Sequence, residues 1–222
     1  MNAQSFWLVG IFCSIGMASA HAGTQDPWIV RAGYANVAFS PSATLTLAGN
    51  SVPGAEVRIP DKLLPLMELG YEFVDGWAAR IALAQPPTVT VYADGFLKAF
   101  TPPLSGTIGK ARIALIVMTV TYSPGSFIGI RAYVGAGDNY TMVMNTSDGD
   151  VASMSARNAW GSAFEIGADW SIDRNWSVYV DSRKVYVKTT GTGVAPELGG
   201  VPVQEEVALN PLIISSGIGY RF

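Results

Sequence analysis

Read with a period of two, the chain places ten charged side chains on one parity of its alternating segments: Arg31, Glu68, Glu72, Arg80, Arg131, Glu165, Asp169, Asp181, Arg183 and Arg221. Five are cations and five are anions, so the set sums to zero. Such a set is suited to ion pairing rather than group transfer. Nucleophilic catalysis of the Ser–His or Cys–His kind needs an imidazole beside the nucleophile. The one histidine, His21, and the one cysteine, Cys13, both fall near the N-terminus, outside the alternating segments. No His/Cys grouping with metal-ligand spacing is present. Asp148 and Asp150 flank Gly149 in a turn-rich stretch, a pair that reads as a solvated turn rather than a calcium site. The expectation is therefore no catalytic residue, no enzyme activity, no metal and no cofactor.

The elements that must position these charges are strands. Met67, Leu69, Tyr71 and Phe73 alternate with Glu68, Gly70 and Glu72, and Trp77, Ala79, Ile81 and Leu83 alternate with Ala78, Arg80, Ala82 and Ala84. A period of two puts successive side chains on opposite faces of a strand. The same pattern predicts eight strands over 27–40, 65–73, 77–85, 110–122, 127–140, 157–170, 176–189 and 207–222. Their connections alternate in length. Val74 to Gly76, Ser123 to Ser126 and Ser171 to Asn175 are tight turns rich in turn formers. Residues 41–64, 86–109, 141–156 and 190–206 are long and rich in Gly, Pro, Ser and Thr.

The outward parity of these strands is apolar and ends in aromatics. Trp28, Phe73, Trp77, Tyr122, Phe127, Trp170, Trp176, Tyr220 and Phe222 all sit at the short-turn end of their strands, and only Phe127 disagrees with its strand's apolar parity. Aromatic rings favour the membrane–water interface. Overall the chain is 49% hydrophobic and 14% charged, with a net charge of -3, yet no run after residue 22 is long enough for a membrane helix. These features predict an all-β fold: an eight-stranded antiparallel transmembrane β-barrel with short periplasmic turns and long extracellular loops. The absence of a basic cluster argues against nucleic acid as a partner. Residues 1–22 read as a signal peptide, with an apolar run from Phe6 to Met17 followed by Ala18-Ser19-Ala20 and Ala20-His21-Ala22 as small-residue cleavage sites. Residues 23–222 then form one cysteine-free barrel domain in the bacterial outer membrane, in contact with its lipid. Tyr220 and the terminal Phe222 form an assembly signal for the barrel assembly machinery.

An eight-stranded barrel is just wide enough for side chains to fill it, so the ten charges must pair across the lumen, since an orphaned buried charge is strongly destabilising. A three-residue turn at Val74 to Gly76 would pair Phe73 with Trp77 and set Arg80 opposite Gly70, diagonal to Glu68 and Glu72. Above that plug the long loops carry much apolar surface, including Leu45, Leu64, Val89, Val91, Phe96, Phe100 and Val143. Such surface often marks a ligand site. Ala82, Tyr133, Tyr179, Phe96 and Phe100 are the candidate ligand-facing residues.

Taken together and in order, several segments resemble the OmpW family of small outer-membrane barrels: Trp28-Ile29-Val30-Arg31-Ala32-Gly33, Tyr133-Val134-Gly135-Ala136-Gly137-Asp138-Asn139-Tyr140, Ala159-Trp160-Gly161, Gly167-Ala168-Asp169-Trp170, Asp173-Arg174-Asn175-Trp176, Lys184 to Thr189, Leu209-Asn210-Pro211 and Gly219-Tyr220-Arg221-Phe222. The Leu-Pro-Pro that members often carry in the fourth strand appears here as Ile113-Ala114-Leu115. The resemblance implies passive uptake of small hydrophobic or amphipathic molecules, with a blocked lumen and sideways exit through the wall into the bilayer. The alternative is a structural or adhesive protein whose lumen is plugged by ion pairs and whose loops serve as a receptor for a phage, a bacteriocin or a host surface.

Overall fold

A strand with one apolar and one polar face must bury the first against lipid or another sheet, and lipid tolerates no unpaired backbone edge. Closure of the sheet on itself meets both demands, and the chain closes. The computed structural model describes residues 27–52, 54–95 and 106–222. The expected signal peptide lies outside these residues, as do Phe96 and Phe100. The strands in chain order are β1 (Trp28–Ala38), β2 (Ser42–Leu47), β3 (Asn50–Val52), β4 (Ala55–Arg58), β5 (Lys62–Val74), β6 (Trp77–Ala84), β7 (Thr88–Gly95), β8 (Thr107–Tyr122), β9 (Ile130–Asp148), β10 (Ala152–Ala156), β11 (Ala159–Ser171), β12 (Trp176–Ala195), β13 (Val201–Ala208) and β14 (Leu212–Arg221). Eight of them, β1, β5, β6, β8, β9, β11, β12 and β14, pair antiparallel in that order, and β14 returns to β1. The closing seam carries the chain terminus: the backbone N–H of Phe222 donates to Trp28 O at 3.0 Å and that of Trp28 to Phe222 O at 3.2 Å.

The faces follow the parity of the sequence. Trp160, Phe164, Ile166 and Trp170 of β11 are exposed, while Ala163 and Glu165 between them are buried. Two aromatic belts mark the membrane. The lower one contains Trp28 against Tyr71, Trp77 against Tyr122 and Trp176 against Tyr220, with ring centroids 4.7, 4.9 and 4.8 Å apart. The upper one, which the sequence reading did not find, contains Tyr140 against Trp160 at 4.8 Å and Phe164 against Tyr186 at 6.2 Å. From Trp176 to Tyr186 is ten residue steps along β12. At about 3.3 Å per step and a tilt of about 40° that rises about 25 Å, the height of the apolar band of such barrels.

The structure corrects several expectations. The first turn is not a three-residue turn pairing Phe73 with Trp77. Val74 pairs with Trp77 around Asp75-Gly76, and a bulge between Glu72 and Val74 restores the parity, so that Gly70 still faces Arg80. Gly76 takes φ 79°, the left-handed conformation that makes glycine suited to this two-residue turn. Phe127 belongs to no named strand: β9 starts at Ile130, and Phe127 forms an isolated bridge back to it, which explains its parity. The long connections are themselves largely strands. β8 and β9 continue together as far as Gly109 opposite Asp148; β7 adds to β8 and β4 to β7; β13 pairs with β12 and β2, β2 with β3, and β10 with β12. The predicted last strand, 207–222, is two. It breaks at Leu209-Asn210-Pro211, where Asn210 has φ 39°, and both halves stay on β12. The barrel wall thus rises well above the upper aromatic belt.

Candidate functional site

The lumen is layered, and each layer can be read along a single strand. From the periplasmic end, the inward positions of β9 run Arg131, Tyr133, Gly135, Gly137, Asn139, Thr141 and Val143. Those of β12 run Tyr179, Asp181, Arg183, Val185, Val187, Thr189 and Gly191. Both leave charge behind going outward: β9 passes through Asn139 and Thr141 to Val143, and β12 through Val185 and Val187 to Thr189.

All ten predicted charges pair inside. Arg31 donates to Glu68 at 2.9 Å and also pairs with Asp169. Arg80 lies 3.4 Å from Glu68, 3.7 Å from Glu165 and 3.9 Å from Asp169. Arg183 pairs with Glu68, stands 3.0 Å from Glu165, and brings its Nε to 3.2 Å from Asp181. Below them Glu72 holds Arg131 and, at 2.7 Å, Arg221. The expected contact between Arg80 and Glu72 is therefore replaced. The stagger of a closed barrel drops Glu72 one layer towards the periplasm, where β9 and β14 supply its partners. The balance of charge is also a property of the whole and not of each layer. The upper layer has three arginines against four acids, and the lower has two against one.

Tyr133 and Tyr179, expected to face a ligand, belong to this plug instead. The Tyr133 hydroxyl accepts from Arg31 at 3.0 Å and donates to Asp181 at 2.9 Å, and the Arg80 guanidinium stacks 3.9 Å from its ring centroid. Tyr179 is buried with Arg31 5.1 Å from its ring. Ala82 is buried in the apolar layer above, with Leu66, Val117, Val185 and Ile213. Phe96 and Phe100 are outside the described residues. A void of about 10 Å³ among Glu72, Arg80, Arg131 and Asp169 has room for about one water molecule.

Above the apolar layer lies a cavity of about 70 Å³, lined by Ile59, Val89, Val91, Ile108, Ala111, Ile113, Val143, Met154, Ala156, Val207 and Leu209, with Thr141, Thr189, Gly191 and Glu205 as the remaining wall. Of the apolar loop residues expected above the plug, Val89, Val91 and Val143 line this cavity, and Leu45 and Leu64 are buried elsewhere in the core. Most of the lining was missed because the segments that carry it read as loops. The alternation in Val89-Thr90-Val91 was the available signal, while Val207 and Leu209 lie in the predicted last strand. Among the described residues of this wall, Glu205 is the single ionisable group. Burial alone pushes its carboxyl up to about 7. A larger depression, about 480 Å³, lies on the outer wall where Ala79 and Ala136 face lipid beside Leu69, Ile81, Met118 and Asp138. It shares no lining residue with the inner cavity.

The turns are held by carboxylates. Asp173 accepts from the backbone N–H of Asn175 and Trp176 at 2.8 and 2.7 Å, which holds its pKa below the usual range. Asp148 does the same for Ser153 and Met154, both at 2.9 Å, with the same effect. Asp150 accepts from Gly106 N at 2.8 Å. These two loop acids therefore serve as turn caps.

The sequence profile of the OmpW family matches residues 25–222. The dibenzothiophene metabolism operon protein PahQ of Pseudomonas aeruginosa is 34% identical over 212 residues, covering 96% of this chain and 95% of its own. Among solved structures, the outer membrane protein OprG of Pseudomonas aeruginosa superposes with a TM-score of 0.80 at 22% identity, over 89% of this chain and 96% of its own. AlkL, solved in lipid bilayers, superposes at 0.69 and 22% identity over 100% and 97%. These two structures share the fold, a barrel of the outer membrane.

Proposed function

Since the chain belongs to the OmpW family and is a barrel of the bacterial outer membrane, we propose that it is a passive, non-catalytic route by which small hydrophobic or amphipathic molecules cross that membrane. The observation that carries this reading is the order of layers in the lumen: an apolar cavity outside and an ion-paired plug beneath. An apolar solute gains by leaving water for the cup. It cannot continue downward, because passage would separate buried charge pairs, at several kcal/mol each. The remaining exit is sideways, through the wall into the bilayer. The name of the PahQ relative supports an apolar cargo, since dibenzothiophene is a fused-ring aromatic with little polar surface.

The test is uptake of a panel of small hydrophobic compounds by cells with and without this protein, corrected for lipid permeability. Selective acceleration of apolar compounds is expected. No difference across the panel would overturn the reading in favour of a receptor role, in which the upper loops bind a phage or a bacteriocin. Insertion by the barrel assembly machinery through Tyr220 and Phe222 is part of the same proposal.

A further inference from the structure

Glu205 is out of place in the cup. Its side chain comes from β13, opposite Leu45 of β2 and Gly191 of β12, and it is 8% exposed. Its Oε1 is buried without a hydrogen-bond partner among the described residues. Gly191 stands five residues beyond Tyr186 of the upper belt, so the group lies outside the membrane band. Neighbouring Glu206 points the other way and pairs with Lys188 at 3.1 Å, and Lys110 and Arg112 of β8 are exposed on the outer face. None of the groups lining the cavity from β7, β8, β9, β10 or β12 is charged; the polar ones are the hydroxyls of Thr141 and Thr189. A buried acceptor left unpaired in an apolar wall is costly, and it becomes favourable only when something arrives to donate to it.

We propose that Glu205 is the polar anchor of the cup, and that the solute it selects is an apolar molecule bearing a neutral hydrogen-bond donor, a hydroxyl group above all. The inference rests on the uptake reading and refines its substrate class. At about 70 Å³ the void is smaller than the roughly 150 Å³ cavity that takes up benzene whole, so it encloses the donor end of a solute and leaves the rest towards the mouth. A carboxylate hydrogen bond in such a site discriminates by about tenfold to a hundredfold against an analogue lacking the donor. The raised pKa of Glu205 adds that this discrimination follows its ionisation near neutrality.

The experiment uses the full barrel in lipid nanodiscs with methyl-labelled methionine, titrated with p-cresol and with toluene. The Met154 methyl lines the cup and reports binding; the Met67 methyl faces lipid and reports partitioning into the bilayer. After that correction, p-cresol is expected to act at a concentration about tenfold or more below that of toluene. Glu205→Leu should close the gap without weakening toluene, whereas Glu205→Gln, whose carbonyl still accepts, should keep part of it. The wild-type gap should narrow from about pH 8 to about pH 6 while that of Glu205→Gln stays flat. An unchanged gap in Glu205→Leu, or a pH-independent gap in the wild type, would overturn the role of Glu205 and leave the uptake reading standing. No response of Met154 to either compound in the wild type would overturn both.

Discussion

Gly167 and Tyr133 share one space. They are cross-strand partners on β11 and β9, and a Cβ on Gly167 would overlap the Tyr133 phenol while standing 2.7 Å from the carbonyl oxygen of Val180. The missing side chain is what lets the tyrosine lie among Arg31, Arg80 and Asp181. Gly167→Ala should cost about 1–3 kcal/mol by overpacking, read from urea unfolding in detergent. Combined with Tyr133→Ala it should cost less than the sum of the two. A strictly additive pair would show that the two residues do not compete for this space.

The arginines are not equivalent. Arg183→Met leaves Glu68, Glu165 and Asp181 short of a cation in a layer already rich in acid, and should cost about 3–5 kcal/mol. Arg131→Met should cost about half as much or less, because Glu72 keeps Arg221 and the Arg131 side chain is 25% exposed. Arg80→Ala should fall between them, since Glu68 retains Arg31 and Arg183. Heat-modifiability on gels ranks the three, and equal effects would count against the layered network.

Removal of Phe222 deletes both backbone hydrogen bonds to Trp28 at the seam and the ring stacked 6.1 Å from Tyr220. Assembly into the outer membrane should fall, measured as the folded fraction in isolated membranes. Normal yield would show that the terminal residue is not the assembly signal.

Conductance in planar bilayers should be small or absent, because the charged plug is packed across the lumen. A large, steady conductance would reveal a water path past Tyr133 and Asp181.

The pH dependence of the extracellular end should bear the mark of Glu205. Its folded pKa is raised from 4.5 to about 7, so the folded state binds the extra proton between those values. Stability should therefore be highest below about pH 4.5 and fall as pH rises to about 7, by at most about 3 kcal/mol from this group. Glu205→Gln should remove that slope, as followed by hydrogen exchange in β13. A slope that survives in the variant would place its origin elsewhere.

The sequence by itself determined the wall. Alternation is local and its period is fixed by backbone geometry, so the residues of β11 and β12 declare their faces without reference to anything distant, and the ten lumen charges could be named from parity alone. Only the tertiary structure decided which charges meet. Barrel stagger takes Glu72 from Arg80 and gives it to Arg131 and Arg221, residues 59 and 149 positions away. Closure likewise turned Tyr133 and Tyr179 from ligand-facing residues into parts of the plug. The inner cavity was illegible for a related reason: β7, β10 and β13 beside it are short, and they are ordered by pairing with the rising ends of β8 and β12 rather than by a strong pattern of their own. Glu205 falls in the 190–206 connection, and the pairing of β13 with β12 and β2 puts it inside.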